Sequence, residues 1–170
     1  MPLELNELLS SVVRAGRVEW IGVRPARREP IVLVDHVEAR AGRGLTGDRF
    51  RGGVSSKRQV TLIQAEHLHV VAQLLRLERV DPTLVRRNIV VSGINLLALR
   101  GAEFTIGGAL MEGTGPCHPC SRMEETFGTG GYNAFRGHGG ITARVLSSGV
   151  IHVGDPVTFK RRLISASVEQ

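Results

Sequence analysis

Aromatic side chains are scarce. One Trp, one Tyr and five Phe in 170 residues leave few rings on which single-stranded bases could stack, so the basic total does not by itself argue for nucleic acid. Lysine is nearly absent: only Lys57 and Lys160 occur, so the net charge of +6 is carried by arginine. Arginine offers a planar fork of donors that matches phosphate and carboxylate, where lysine offers a hydrated point charge. No stretch approaches the roughly 20 consecutive apolar residues that a bilayer-spanning helix needs. The N-terminus lacks the basic stretch and apolar run of an export signal. The expectation is a cytoplasmic protein with no membrane partner. Cysteine is confined to Cys117 and Cys120, and in a reducing compartment the spacing C-x-x-C points to reactive or metal-binding thiols rather than a structural staple.

Repeats, low-complexity tracts and long linkers are also missing, and a hydrophobic fraction of 42% suffices for one buried core. Leu5, Leu8, Leu9, Val12 and Val13 fall at helical spacing, so residues 1–16 are expected to hold a short helix, capped at Gly16 and packed on the domain. Residues 17–160 then form the domain and 161–170 a tail. Eight β-type runs fill that domain: Val18 to Val23, Ile31 to Ala39, Gln59 to Ile63, Asn88 to Ser92, Glu103 to Ile106, Ala109 to Glu112, Ile141 to Leu146 and Val150 to Phe159. Gly107-Gly108 and Ser147-Ser148-Gly149 read as hairpin turns. Helices are expected at Gln64 to Leu75, from Asp81-Pro82 toward Arg87, and after Cys120. The fold class is mostly β, an antiparallel, barrel-like sheet with a few packed helices, because closure removes exposed strand edges.

The segment Thr114-Gly115-Pro116-Cys117-His118-Pro119-Cys120-Ser121-Arg122 joins a β-run to a helix, and two prolines stiffen it. A cysteine at the start of that helix would have the positive helix end and Arg122 beside it, both favouring thiolate. Four readings compete. A zinc site lacks a second C-x-x-C, and His67-x-His69 has the wrong spacing for a half-site. A thioredoxin-type dithiol lacks its βαβ context. Two small core residues without chemistry are the plainest reading. The fourth is a thiol that binds a soft metal or carries sulfur.

Gly42-Arg43-Gly44-Leu45-Thr46-Gly47 matches G-x-G-x-x-G literally, yet Asp48-Arg49-Phe50-Arg51-Gly52-Gly53 continues it as a loop, so no helix opens there to receive a dinucleotide. The segment reads instead as a long ordered loop whose Asp48, Arg49 and Arg51 can face a ligand. Arg58-Gln59 and Arg86-Arg87-Asn88 stand at the entries of two strands, where arginine and asparagine together can hold a phosphate. For any single one of these arginines, solvated surface charge is the competing explanation. The same holds for His138 among its glycines, and for Tyr132 and Asn133.

Taken in order, Gly47-Asp48-Arg49, Arg58-Gln59-Val60-Thr61-Leu62-Ile63, Ala65-Glu66-His67, Arg86-x-Asn88-Ile89, Thr114-Gly115-Pro116 with Pro119-Cys120, Gly139-Gly140 and Val153-Gly154-Asp155-Pro156-Val157 resemble the MOSC domain. This domain ends the molybdenum cofactor sulfurases and also stands alone in small bacterial proteins. The resemblance covers about Val18 to Phe159. It implies a β-barrel-like fold and, without pyridoxal phosphate, binding of a molybdenum–molybdopterin cofactor. It matches Cys120 to the family's functional sulfur, a metal ligand in reductases and a sulfur carrier in sulfurase-type members. It places Gly47, Asp48, Arg49, Arg58, Arg86 and Asn88 near the pterin and its phosphate. The chain departs from the pattern at Cys117, a second thiol, and at Arg87, where an acidic residue is expected.

The leading expectation is an oxidoreductase that reduces small N-hydroxylated substrates, with Cys120 as metal ligand, Cys117 beside it, His138 near the cofactor, and a separate electron-donor protein. The alternative is a persulfide carrier for cofactor or metal–sulfur cluster assembly, with a sulfur donor as partner. A basic nucleic-acid-binding domain is the third reading, and it predicts steeply salt-dependent binding to generic DNA. Sequence leaves the substrate and the oligomeric state open.

Overall fold

The computed structural model describes residues 1–163. A closed, seven-stranded barrel runs in the order β11 (Pro156–Arg162), β7 (Ala102–Ile106), β8 (Ala109–Pro116), β9 (Ile141–Ser147), β5 (Val60–Gln64), β6 (Ile89–Ser92), β1 (Gly16–Val23). The β1–β11 pairing, Gly16 opposite Val157, closes it, and β2 (Val32–Val34) adds to the other end of β1. Beside the barrel lies a three-stranded sheet, β10 (Gly149–His152), β3 (His36–Arg40) and β4 (Gly44–Leu45). The mostly β, barrel-like architecture is as expected.

Two cores explain why these elements hold together. The first fills the barrel: Val18, Ile21, Val60, Leu62, Ile89, Val91, Phe104, Ile106, Met111, Ile141 and Val157 are all fully or nearly fully buried, and the layer continues under the small sheet through Val37, Ala39 and Ile151. The second lies outside β5 and β6. Ile63 and Val90 face outward there and are covered by Leu68, Val71 and Ala72 of α2 (Ala65–Leu74), Met123 of α4 (Ser121–Phe127) and Phe135 of α5 (Gly131–Phe135). Strands covered on both faces read as continuous apolar runs, which is how Val60-Thr61-Leu62-Ile63 and Ile89-Val90-Val91 look in the sequence.

Several expectations are corrected. The β5–β6 pair is parallel, because α2 and α3 (Pro82–Val85) make the crossover between them. The run Ile31 to Ala39 divides at Asp35 into β2 and β3, which belong to different sheets, and the run Val150 to Phe159 divides at the Val153–Asp155 turn into β10 and β11. Ser147-Ser148-Gly149 is therefore no hairpin: β10 leaves β9 and pairs with β3. Gly107-Gly108 does close the β7–β8 hairpin, with Ile106 opposite Ala109. Helix α1 covers only Leu5–Ser10, buries none of its residues, and is followed by an extended Gly16 that starts β1. The helix touches β11, where the Arg162 guanidinium donates to the Leu9 carbonyl, but its leucines stay exposed among the described residues, and reciprocal bonds between Glu4 and Glu7 hold its first turn. Within the expected tail, Arg161 and Arg162 belong to β11 and residues 164–170 lie outside the described residues.

Candidate functional site

Strand register brings distant chain segments together at one place. Pro116, the last residue of β8, pairs with Ile141, the first of β9. Ile141 pairs with Leu62 of β5, Leu62 with Ile89, the first of β6, and Ile89 with Ile21 of β1. Arg24 follows β1, Arg58 precedes β5, Arg86 and Arg87 precede β6, and Cys117 and Cys120 follow β8. The hydroxyl of Thr114 donates to the Lys57 carbonyl, tying the end of β8 to the approach of β5.

Asp48 is turned inward, with a fully buried carboxylate. Its Oδ1 accepts from the Arg24 backbone N–H at 2.7 Å, the Arg24 Nε at 3.1 Å and the Asn88 amide at 3.0 Å, and its Oδ2 accepts from the Arg24 guanidinium at 2.9 Å. Burial would raise this carboxyl's pKa, but the bonds and charge of Arg24, with the Asn88 amide, outweigh it and hold the pKa below the ordinary value. Asn88 is equally occupied. It also donates to the Gly22 carbonyl, while its Oδ1 accepts from the backbone and hydroxyl of Thr61. These two residues fasten loop to barrel rather than present free polar atoms.

The two consecutive arginines diverge. Arg86 caps α3 in the left-handed conformation, φ 57°, a strained state for a non-glycine residue of the kind that concentrates at functional sites. It donates to the carbonyls of Glu29 and Ala26. Burial lowers its pKa, and Arg122, Arg24 and Arg49 push the same way against Asp48. Arg87 turns inward and is 5% exposed. It donates to the carbonyls of Gly139 (2.9 Å), Val85 (3.0 Å) and His118 (3.4 Å). Among the described residues no carboxylate pairs with it. Burial lowers its pKa most; Cys117 and Cys120 act in the opposite direction, whereas Arg58 and Arg24 add to the lowering.

Gly139 and Gly140 make this packing feasible. A Cβ on Gly139 would stand 2.1 Å from the Cys117 carbonyl oxygen, and one on Gly140 would stand 1.8 Å from that of Leu62. The Cys117 N–H donates to the Gly140 carbonyl at 2.8 Å. Cys117 is 1% exposed, whereas Cys120 is exposed and forms the N-cap of α4. Helix α4 is fixed below it by Met123 in the outer core and by Glu124, whose carboxylate accepts from the N–H groups of Gly130 and Tyr132.

Gly47 is exposed on the Gly42–Gly53 loop, which with Arg40 and Val54 lines a cavity of about 450 Å³. Arg49 and Arg58 are exposed. His138 turns the other way: its ring packs edge-on against His67, centroids 5.0 Å apart, and its Nδ1 lies 3.1 Å from the Ala134 carbonyl. Burial and the neighbouring His138 hold His67 below the ordinary histidine value. Tyr132 and Asn133 are exposed on α5. The structure adds Arg24, which the sequence reading missed. Its one signal was position, since Arg24 directly follows a strand and precedes Pro25, which keeps the chain extended there.

A sequence profile of the MOSC domain matches residues 34–158, most of the chain. The chain belongs to the MOSC domain family. Among solved structures, the YuaD protein from Bacillus subtilis superposes with a TM-score of 0.73 at 19% identity, covering 86% of this chain and 96% of that one. YiiM from Geobacillus stearothermophilus gives 0.70 at 19% identity over 86% and 75%, and YiiM from Escherichia coli 0.67 at 19% over 89% and 73%. At such identities the likeness is one of fold. No curated protein matches the sequence. Membership in this MOSC family associates the chain with molybdenum cofactor binding, and the donor set fits such a group: an exposed thiol as soft ligand beside guanidiniums that suit phosphate. Among the described residues no three His, Cys, Asp or Glu side chains converge on one point.

Proposed function

We propose that the arginine cluster and Cys120 hold a molybdenum–molybdopterin cofactor and that the protein is a cytoplasmic reductase of small N-hydroxylated compounds. The observation that carries this reading is Arg87, a buried guanidinium that among the described residues has no carboxylate partner and that donates to the His118 carbonyl, between the two cysteines. A buried cation costs several kcal/mol unless an anion compensates it. Asp48 already serves Arg24, so among the described residues a thiolate is the anion left for Arg87, and a bound ligand would supply the other.

Each residue then has a task. Arg58 and Arg49, exposed and without ion pairs among the described residues, are free to take phosphate oxygens, and Arg86 adds positive charge beside them. Asp48 and Asn88 act through Arg24 and the strand ends, positioning this charge without touching the ligand. Cys120 offers the soft donor at the open side of the cluster, while Cys117 is packed behind it. Arg87 ties the thiol loop to the glycine turn through His118 and Gly139. When bound, the cofactor would supply two-electron oxygen-atom transfer, with the electrons coming from a separate donor protein. The test is reduction of a panel of N-hydroxylated amidines and hydroxylamines by cofactor-loaded protein with an artificial electron donor. Turnover that Cys120→Ser abolishes is expected, and turnover unchanged in that variant refutes the ligand assignment.

The exposure of Cys120 also suits a persulfide carrier, with sulfur transferred by exchange. Mass spectrometry of untreated protein separates the two: a labile extra sulfur on Cys120 without bound molybdenum favours the carrier.

A further inference from the structure

The small sheet carries a different cluster. His36 of β3 and His152 of β10 are cross-strand partners on its outer face, with rings stacked 5.6 Å apart at 27°. Both side chains are more than half exposed. Each has its Nδ1 beside a carboxylate: His36 Nδ1 lies 2.6 Å from Asp35, and His152 Nδ1 lies 3.7 Å from Asp155. The Asp155 carboxylate is itself fixed, since it accepts from the His152 backbone N–H at 2.8 Å. Neither Nε2 has a hydrogen-bond partner among the described residues. At His36, an Nδ1–H that donates to the Asp35 carboxylate leaves Nε2 as the lone-pair nitrogen and strengthens it as a donor, the arrangement that orients metal-ligating histidines; at His152 the carboxylate, 3.7 Å away, is beyond hydrogen-bond distance.

We propose that His36 and His152 form a two-imidazole site for a late first-row divalent cation, Zn²⁺, Ni²⁺ or Cu²⁺, with water completing the coordination. Directly opposed residues of an antiparallel pair have Cβ atoms about 5 Å apart, a spacing from which two imidazoles reach one ion by rotation about their side-chain bonds. Imidazole is the ligand type these metals favour. The next residues on the same face do not compete: Glu38 is held by Arg40 at 3.2 Å, and Val150 opposite it is apolar. A cation here would bind β10 to β3, the strand that leads into the Gly42–Gly53 loop, which holds β4 and Asp48. The site is independent of the cofactor reading.

The test uses the full chain with Cys120→Ser, so that the exposed thiol does not capture the ion. Titration with ZnSO₄ or NiCl₂, followed by calorimetry and by imidazole ¹⁵N NMR, is expected to shift the Nε2 signals of His36 and His152 together at one equivalent. His36→Ala or His152→Ala should each weaken binding at least about tenfold through loss of the chelate, and Asp35→Asn by about tenfold through loss of the orienting bond. The cation should also raise Tm, an increase absent in the double alanine variant, because two paired histidines bind the native state better than the unfolded chain. Single variants that bind like the parent, shifts confined to His67 and His138, or no binding at millimolar cation would each overturn the proposal.

Discussion

Two buried arginines close together in the same cluster solve the problem of a buried charge in opposite ways. Arg24 is neutralised within the chain: Asp48 takes three of its donors and Asn88 locks Asp48 in turn. Among the described residues Arg87 meets only backbone carbonyls, with the thiols as the nearest groups that could carry negative charge. The first arrangement is architecture, complete without any partner. The second has its hydrogen bonds but, among the described residues, no counter-ion, and in the proposed function that difference is what a ligand's negative charge would answer. Within the Arg86-x-Asn88 element the asparagine belongs to the architecture, while the intervening Arg87 reaches the thiol loop.

The comparison is broken most forcefully by Asp48→Asn. It leaves Arg24 buried without its counter-ion and should cost about 3–5 kcal/mol of stability, read by urea denaturation. The pH dependence follows from the same pair. Because the folded-state pKa of Asp48 lies below its unfolded value of roughly 3.9, its contribution is complete above that value and is lost as pH falls through the lower one. The parent should therefore lose stability on acidification below about pH 4, and Asp48→Asn should flatten that limb. Arg87→Met removes the unpaired cation together with three bonds to carbonyls, two opposing effects. Stability should change by less than about 2 kcal/mol, whereas cofactor retention should fall at least about tenfold, roughly 1.4 kcal/mol. Cys117→Ser buries a hydroxyl and should cost about 1–2 kcal/mol, measured in the same denaturation series. Cys120→Ser, at an exposed site, should change stability by less than about 0.5 kcal/mol while removing activity.

Much of this was legible in the sequence. β-type residues between turn signals located every barrel strand, and Asp81-Pro82 located α3, where the Asp81 carboxylate accepts from the Thr83 N–H. Strand direction was not legible, since residue alternation is the same in parallel and antiparallel pairs, and so the one parallel pair, β5–β6, within an otherwise antiparallel barrel was not foreseen. Nor were the breaks within Ile31 to Ala39 and Val150 to Phe159, because both halves of each run keep apolar, β-branched residues and only tertiary pairing assigns them to different sheets. The two-residue strand β4 was hidden in a glycine loop. At the candidate site, the order of motifs brought forward Arg58, Arg86, Asn88 and Cys120, but no local pattern distinguishes an arginine that meets Asp48 from one that meets nothing. Asp48 finds Arg24 24 positions away, and only the folded chain shows that Arg87 is enclosed.

The measurement that bears most directly on the central claim is molybdenum per chain, by elemental analysis, in protein co-expressed with cofactor-making machinery. The parent should carry close to one molybdenum. Arg87→Met and Cys120→Ser should carry little, and both should fold as the parent does. Equal molybdenum in all three, or none in the parent, would contradict the account.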